Sequence, residues 1–372
     1  MADEIHEPDR VQGAPHPRET MTLFGQDAAQ SAFLDAFNTG RLHHAWMLTG
    51  PRGVGKATLA WSIAKFLLAT PDPNGDDMFG APSAPTSLFV DPNHPVARRI
   101  AAGADPGLVS VTRSANEKTG RLRDQIVVDD IRNLSGFFQL SATDGGRRVV
   151  IIDAADDMNP QAANALLKML EEPPERATLL LITHQPSRLL PTIRSRCRTL
   201  RLSTLDGAQM QSAMTQAEVE GDANSPALAE LSGGSVGDAM RLSLMDGLQT
   251  YAEIIAILGS LPQMDRARTL KMAEAAAQRG NEEKLDLLFT LLEIALSRLA
   301  RTGAMAQPPL VEAAPNEAAI FTRLANSAHM GRAWADVSHE ALTRARHGRA
   351  VNLDPAALVL DTMFKIHGTA RA

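Results

Sequence analysis

The chain has 372 residues, of which 44% are apolar and 22% are charged, and its formal net charge is −6. It contains no run of 18 uncharged apolar residues, so we expect a soluble protein of two or three domains. The single cysteine, Cys197, excludes an internal disulfide and a cysteine-cluster zinc site, and the negative charge excludes a global attraction to nucleic acid.

The first half of the chain has the pattern of an α/β domain. Residues 1–22 are polar and lack the apolar core of a signal peptide, so we expect a disordered tail on a cytoplasmic protein. Over 23–204, short apolar runs alternate with helical patterns, which predicts a parallel sheet wrapped by helices. The strand candidates are 45–49, 108–111, 147–153 and 178–183, and a Pro/Gly/Asp-rich surface insertion is predicted at 70–87.

The second half is predicted to be helical. Glycines interrupt the helical pattern over 205–248, which indicates a small helical domain, and a larger all-α domain follows over 249–372. The most apolar helix, 284–300, contains Lys284, Asp286, Glu293 and Arg298. We therefore interpret it as a core helix, and we expect no membrane span.

Residues 50–60 read GPRGVGKATLA, which is a phosphate loop without its final hydroxyl. The pattern G-x-x-x-x-G-K-[ST] curls the backbone around phosphates and places a hydroxyl on magnesium. The candidate nucleotide-binding residues are Gly50, Gly53, Gly55, Lys56 and Thr58. Ala57 stands at the hydroxyl position, and Thr58 lies about 100° further around the helix. The alternative is a glycine-rich turn that closes a βα unit and binds no ligand.

The second part of an ATPase site is an acidic pair at the end of a neighbouring strand. The matching segment is VVIIDAADDMN, in which Asp153 is the candidate for orienting magnesium. The next residue is Ala154, so the general base is missing. Asp156 and Asp157 lie beyond the strand, and by itself this segment is equally typical of a buried strand followed by a turn.

An arginine-rich segment, HQPSRLLPTIRSRCRTLRL, follows the last predicted strand at 184–202. It contains Arg188, Arg194, Arg196, Arg198 and Arg201. Such a run is usually a solvated basic surface. The alternative is an arginine that enters a neighbouring subunit's nucleotide site and stabilises charge on the transferring phosphate. We interpret Cys197 as a small buried residue rather than a reactive thiol.

Three segments together resemble the clamp-loader subunits of bacterial DNA polymerase III. They are GRLHHAWMLTGPRGVGKATLA (40–60), VVIIDAADDMNPQAANALLKMLEEPP (149–174) and LLLITHQPSRLLPTIRSRC (179–197). The resemblance is close over about 22–205, and NALLKMLEEPP and the Ser195-Arg196-Cys197 triplet are its most specific parts. It implies an α/β P-loop domain of the AAA+ type, a small helical lid domain and an all-α collar domain that joins five subunits into a ring.

The same resemblance implies a function and partners. Arg196, within the Ser195-Arg196-Cys197 motif, would be the trans-acting arginine finger. The partners would be tau/gamma-type ATPase subunits and a delta subunit, and the sliding clamp and primer-template DNA would be contacted through the complex. The chain would be similar to a rigid stator that requires no cofactor, binds ATP weakly at most and does not hydrolyse it.

Departures from the hydrolysing members favour the stator role. Those members carry Ser/Thr where this chain has Ala57, Glu where it has Ala154, and an arginine where GSVGDAM (234–240) has Gly237. Many relatives also hold a four-cysteine zinc module, but residues 70–125 contain no cysteine, so we predict no metal.

Two other hypotheses remain open at this point. One is an autonomous ATPase or kinase in which Thr58 and Asp156 replace the missing groups. The other is a scaffold whose nucleotide site has no remaining function and whose arginines bind an acidic partner. ATPase activity of the purified chain is required by the first and excluded by the second.

Overall fold

The computed structural model describes residues 7–11, 13–71, 84–116, 120, 122–139, 146–218, 226–278, 280 and 282–371. The chain divides into two compact units, Met1–Glu218 with Ser235–Gly237, and Val219–Gly234 with Asp238–Ala372. This division leaves the first helical segment after residue 205 with the α/β unit. The three-domain organisation, with boundaries at 205 and 249, stays a prediction. Of the insertion predicted at 70–87, residues 72–83 lie outside the described part of the chain.

The first unit is built on a five-stranded parallel sheet. Its strands are β1 (Ala45–Thr49), β2 (Leu108–Val111), β3 (Arg148–Ile152), β4 (Ala177–Thr183) and β5 (Arg198–Arg201). They lie in the order β2-β3-β4-β1-β5, and every pair is parallel. The parallel α/β fold is therefore confirmed, together with all four predicted strands. The fifth strand, at the sheet edge, was not predicted.

Helices cover both faces of this sheet. They are α1 (Asp27–Asn38), α2 (Lys56–Ala69), α3 (Pro95–Ala101), α4 (Val128–Gln139), α5 (Pro160–Glu171), α6 (Pro191–Arg194) and α7 (Gly207–Gln216). Side chains from α1, α2 and α3 form the core on one face, and side chains from α4, α5 and α6 form the core on the other. Because both faces are covered, β1 and β4 are buried along their whole length, which is why they read as continuous apolar runs.

The second unit is helical throughout its described residues. Its helices are α8 (Pro226–Ser232), α9 (Val236–Leu244, whose first two residues belong to the first unit), α10 (Gly247–Gly259), α11 (Arg266–Ala276), α12 (Glu282–Met305), α13 (Glu317–Leu324), α14 (Ala328–Ala350) and α15 (Pro355–Thr369). A buried ion pair crosses its core, in which Arg298 Nε donates to Glu317 at 2.8 Å. The Tyr251 hydroxyl donates to the same carboxylate at 2.6 Å, so the buried charge is fully hydrogen-bonded.

The N-terminal segment is ordered where the structure describes it. We expected a disordered tail over 1–22, but His16 is buried and a 3₁₀ turn follows at Pro17–Glu19. The His16 ring lies 3.2 Å from the Asp9 carboxylate through Nε2, accepts the Arg18 N–H at Nδ1, and packs edge-on against Trp61 of α2. The tail prediction is wrong for residues 13–20. Although the segment is polar in composition, the contacts of the buried His16 hold it against α2.

Candidate functional site

The phosphate-loop residues lie at the junction between β1 and α2, as the sequence predicts. Gly50, Gly53 and Gly55 all have positive φ, and Lys56 is the first residue of α2. The Lys56 ammonium is buried and donates to the carbonyl of Gly50 at 2.8 Å and to that of Pro51. The lysine that should meet the outer phosphates of a nucleotide is thus engaged by the carbonyls of its own loop.

The short segment Ser235–Gly237 packs directly on this loop. The Gly237 N–H donates to the Gly53 carbonyl at 3.0 Å, and the Ser235 hydroxyl donates to the Arg52 carbonyl at 2.9 Å. A Cβ at Gly237 would lie 2.8 Å from the Gly53 Cα, closer than nonbonded carbons approach. Gly237 is therefore required by this packing, and an arginine at that position would force the loop to move.

Asp153 lies at the end of β3, beside the phosphate loop. Desolvation and, as the second cause, the Asp9 carboxylate raise the pKa of its carboxyl to about 7, while the Lys56 ammonium acts in the opposite direction. A magnesium-orienting aspartate must be charged at neutral pH. The surroundings of Asp153 instead favour the neutral form of its carboxyl more strongly than water does.

Asp156 and Asp157 do not replace the missing general base. The buried Asp156 carboxylate accepts the backbone N–H groups of His184 and Gln185, both at 3.1 Å, and so joins the ends of β3 and β4. Asp157 forms an ion pair with Arg113 at 3.6 Å. Both carboxylates hold loops together, and this weakens the hypothesis of an autonomous ATPase.

Binding and hydrolysis of magnesium-ATP require a hydroxyl ligand for the metal, a carboxylate base and a lysine that can meet the phosphates. Ala57 offers no hydroxyl, Ala154 offers no carboxylate, and the Lys56 ammonium is bound to its own loop. Thr58 is half-buried on α2 one position beyond Ala57. These residues therefore do not fit magnesium-ATP or its hydrolysis.

The arginine-rich segment forms α6, the Ser195-Arg196-Cys197 triplet and β5. Arg196 is distinguished from its neighbours because its guanidinium is held at two points: Nη2 lies 2.9 Å from the Glu171 carboxylate, and Nη1 donates to the Thr192 carbonyl at 3.1 Å. The Ser195 hydroxyl donates to the same carbonyl at 3.1 Å. Arg196 remains 36% exposed, so a partner molecule could still reach it.

The other residues of this segment have different surroundings. The Arg198 guanidinium lies 5.3 Å from the centre of the Trp46 ring. Arg194 is exposed, and its side chain makes no hydrogen bond or ion pair with another described residue. Cys197 packs against the core that α4, α5 and α6 form on their face of the sheet, and burial raises the pKa of its thiol to about 12, which agrees with a structural rather than reactive cysteine.

Sequence reasoning missed two groups at these sites. One is Glu171, which lies inside the NALLKMLEEPP stretch but has no role assigned to it by the sequence. The other is Asp9, whose charge acts on Asp153 from a segment predicted to be disordered. Their partners are 25 and 144 residues away in sequence, so only the fold could bring them together.

Two features are absent from the residues that the structure describes. No cluster of three or more His, Cys, Asp or Glu side chains suited to a metal occurs among them. Within the same part of the chain, every helix is too short or too polar to cross a membrane.

Comparison with known proteins adds independent evidence. The family model described as DNA polymerase III, delta subunit, matches residues 25–206. DNA polymerase III subunit delta' of Pseudomonas aeruginosa is 36% identical over 249 residues, which are 66% of this chain and 68% of that protein. DNA polymerase III subunit tau of Escherichia coli is 29% identical over 282 residues, and the match covers 73% of this chain but only 40% of that protein.

The solved structures that resemble this chain are more distant in sequence. A DNA polymerase III gamma subunit-related protein from Thermotoga maritima is 19% identical, with a TM-score of 0.41 over 90% of this chain and 98% of its own. The RuvB Holliday junction branch migration motor of the same organism is 18% identical, with a TM-score of 0.37 over 85% and 90%. The assignment rests on the sequence relatives: this chain belongs to the delta-prime (delta') family of DNA polymerase III subunits.

Proposed function

We propose that this chain is the non-hydrolysing stator subunit of the DNA polymerase III clamp loader, which helps to load the sliding clamp onto primed DNA in the cytoplasm. In this proposal it joins tau/gamma-type ATPase subunits and a delta subunit in a ring of five. It contacts the clamp and the primer-template DNA through that complex. Its own contribution to ATP hydrolysis is Arg196, which enters the nucleotide site of a neighbouring ATPase subunit.

One observation carries the proposal. The chain keeps an exposed, oriented guanidinium at Arg196, while its own nucleotide site lacks a metal ligand, a general base and an available lysine. A subunit of this composition has no chemistry to perform on its own nucleotide, but it retains the group that stabilises a transferring phosphate in trans. Family membership supports the same conclusion.

The test is ATP hydrolysis by the reconstituted complex with clamp and primed DNA. Arginine fingers contribute about 10³- to 10⁵-fold at the affected site, and a ring with several ATP sites loses only the share of one interface. We expect Arg196→Ala to abolish the part of ATP hydrolysis that depends on this interface and to leave assembly of the complex unchanged. Arg196→Lys should restore little of that hydrolysis, because an ammonium lacks the planar fork of donors.

The matched control is Arg194→Ala. Arg194 is an exposed arginine of the same segment without a described ion-pair partner, whereas Arg198 is less suitable because it stacks on Trp46. If Arg194→Ala and Arg196→Ala have equal effects, the segment is a basic surface and the scaffold hypothesis gains support. Hydrolysis by the isolated chain that disappears in Lys56→Ala would instead favour the autonomous ATPase.

A further inference from the structure

The Glu171–Arg196 contact joins two sequence motifs that the proposed function leaves unconnected. Glu171 is the last residue of α5, in NALLKMLEEPP, and Arg196 is the centre of the Ser-Arg-Cys triplet beyond β4. Glu172, the next residue, is also exposed, but its carboxylate makes no hydrogen bond or ion pair with any other residue that the structure describes. Of two adjacent glutamates, only one contacts the arginine.

The contact restricts the orientation of the guanidinium but does not occupy all of its N–H donors. A guanidinium has five N–H donors in one plane. Nη1 donates to the Thr192 carbonyl, and Nη2 forms an ion pair with the Glu171 carboxylate at 2.9 Å; both partners belong to this chain. The N–H of Nε takes part in neither contact. Two anchor points restrict the plane and direction in which the remaining donors are presented.

We propose that Glu171 is a positioning residue, which holds the Arg196 guanidinium in the orientation that it presents to the phosphate of the neighbouring subunit. This inference rests on the proposed function, because it assumes that Arg196 acts in trans. Its physical basis is preorganisation: a long side chain held before association loses less conformational freedom when it meets the transition state.

The alternative role for the same contact is restraint. A carboxylate that paired with Arg196 only in the separate subunit would have to release it on assembly, and removing that carboxylate would accelerate hydrolysis. The second anchor argues for positioning, because the Thr192 carbonyl lies on α6, in the same short segment as the arginine, and moves with it. The two roles predict opposite signs for one substitution.

The first measurement uses the full-length subunit alone and does not depend on ATP hydrolysis. Rotation of the Arg196 guanidinium can be followed by side-chain ¹⁵N NMR, with the resonance assigned through Arg196→Lys. We expect slow rotation in the wild-type subunit and faster rotation in Glu171→Ala. Glu172→Ala should match the wild type. Equal rotation in wild type and Glu171→Ala would overturn the inference.

The second measurement uses the reconstituted complex. Immobilising a long side chain is worth about 2- to 10-fold in rate, so Glu171→Ala should lower by that factor the part of kcat that depends on Arg196, with KM for ATP unchanged. Glu171→Gln should fall between wild type and Glu171→Ala, since its amide oxygen keeps a polar atom beside Nη2 but carries no charge. Glu172→Ala should hydrolyse ATP at the wild-type rate.

A double substitution separates positioning from a merely structural role. If Glu171 acts through Arg196, Glu171→Ala adds nothing to Arg196→Ala, whereas independent structural effects add. A rate above wild type in Glu171→Ala or Glu171→Gln, additive losses, or equal effects of the two glutamate substitutions would each reject positioning. If Arg196→Ala alone leaves hydrolysis unchanged, the proposed function fails and this inference fails with it. If only Arg196→Ala slows hydrolysis, the finger stands and the positioning role is rejected.

Discussion

At the scale of single residues, the segments around the predicted phosphate loop are joined by contacts between its own groups. Lys56 donates to loop carbonyls, and Gly53 and Gly237 are in backbone contact. Asp153 is the exception, because desolvation and Asp9 disfavour its charged form. A carboxyl whose pKa is raised in the folded state makes the fold less stable once the pH is high enough to ionise it.

The first prediction concerns the pH dependence of stability at Asp153. The folded state binds this proton more tightly than the unfolded state, whose pKa is about 3.8, so the unfolding free energy falls as the pH rises from about 4 to about 7. Asp153→Asn removes the effect. Relative to wild type, the variant should therefore be more stable at pH 8 than at pH 5, by at most about 3 kcal/mol, because pH 5 already lies above the unfolded-state pKa.

Urea unfolding of wild type and Asp153→Asn at both pH values measures this difference. Asp124→Asn, at an exposed carboxyl, is the control and should show no such dependence. If Asp153→Asn shifts stability equally at pH 5 and pH 8, the carboxyl has no raised pKa.

The second prediction tests the contact between Gly53 and Gly237. A Cβ at Gly237 would lie 2.8 Å from the Gly53 Cα, and backbone atoms on both sides must shift to admit it. We expect Gly237→Ala to lower the unfolding free energy by about 1–3 kcal/mol. Gly136 of α4 is the matched glycine, because a Cβ there meets no atom within 4 Å. Gly136→Ala should be neutral or stabilising by up to about 1 kcal/mol, as helix propensity predicts. Equal effects of the two substitutions in urea unfolding would contradict the packing.

At the scale of secondary structure, the sequence predicts the strands that form short apolar runs. These are β1, β2, β3 and β4, and each was predicted to within about a residue. β2 and β5 are the two edge strands, but only β5 was missed, because its Arg198, Thr199 and Arg201 are exposed and only Leu200 is buried. An edge strand with charged side chains resists pairing with another sheet, and the same charges hide it from a search for apolar runs.

The order of the N-terminal segment could not be predicted from its composition. Its composition is that of a disordered tail, but it is fixed by one histidine that bonds Asp9 and the Arg18 N–H and packs on Trp61. A long-range contact of one side chain leaves no periodic pattern in the sequence. At the candidate site, the loop, Asp153 and Arg196 were predicted from the sequence and their roles stay predictions, while the contacts of Glu171 and Asp9 required the fold.

The third prediction therefore concerns His16. Replacing it with alanine leaves the Asp9 carboxylate, 6% exposed, without its described partner and opens space beside Trp61. We expect His16→Ala to lower the unfolding free energy by about 1–3 kcal/mol. His94 is the control, because its Nδ1 also accepts a backbone N–H, that of Val96 at the start of α3, from a half-exposed position. Thermal unfolding that is affected more by His94→Ala than by His16→Ala would show that the N-terminal segment is not fastened in this way.

At the scale of the whole chain, the groups needed for ATP hydrolysis are missing at three places far apart in sequence. Ala57 follows the phosphate loop, Ala154 follows β3, and Gly237 lies near the start of α9. In the proposed function, these three positions are the reason that the chain would not hydrolyse ATP itself, while Arg196 and Glu171 would serve a site of a neighbouring subunit.

The last prediction follows from this distribution. Ala57→Thr and Ala154→Glu restore the metal ligand and the base, and we expect them to raise magnesium-dependent affinity for a fluorescent ATP analogue without creating turnover. Lys56 stays engaged by the Gly50 carbonyl, and Gly237 still stands where the resemblance predicts an arginine in hydrolysing members.

Adding Gly237→Arg to the two substitutions should not rescue hydrolysis, since its Cβ alone conflicts with the Gly53 Cα at 2.8 Å. The measurement is ATP turnover by each isolated variant, with the same variant carrying Lys56→Ala as the background. Turnover above that background would contradict the prediction. It would mean that the loop opens readily to admit the arginine. The three substituted side chains, and not the packing around Lys56 and Gly237, would then decide whether the chain hydrolyses ATP.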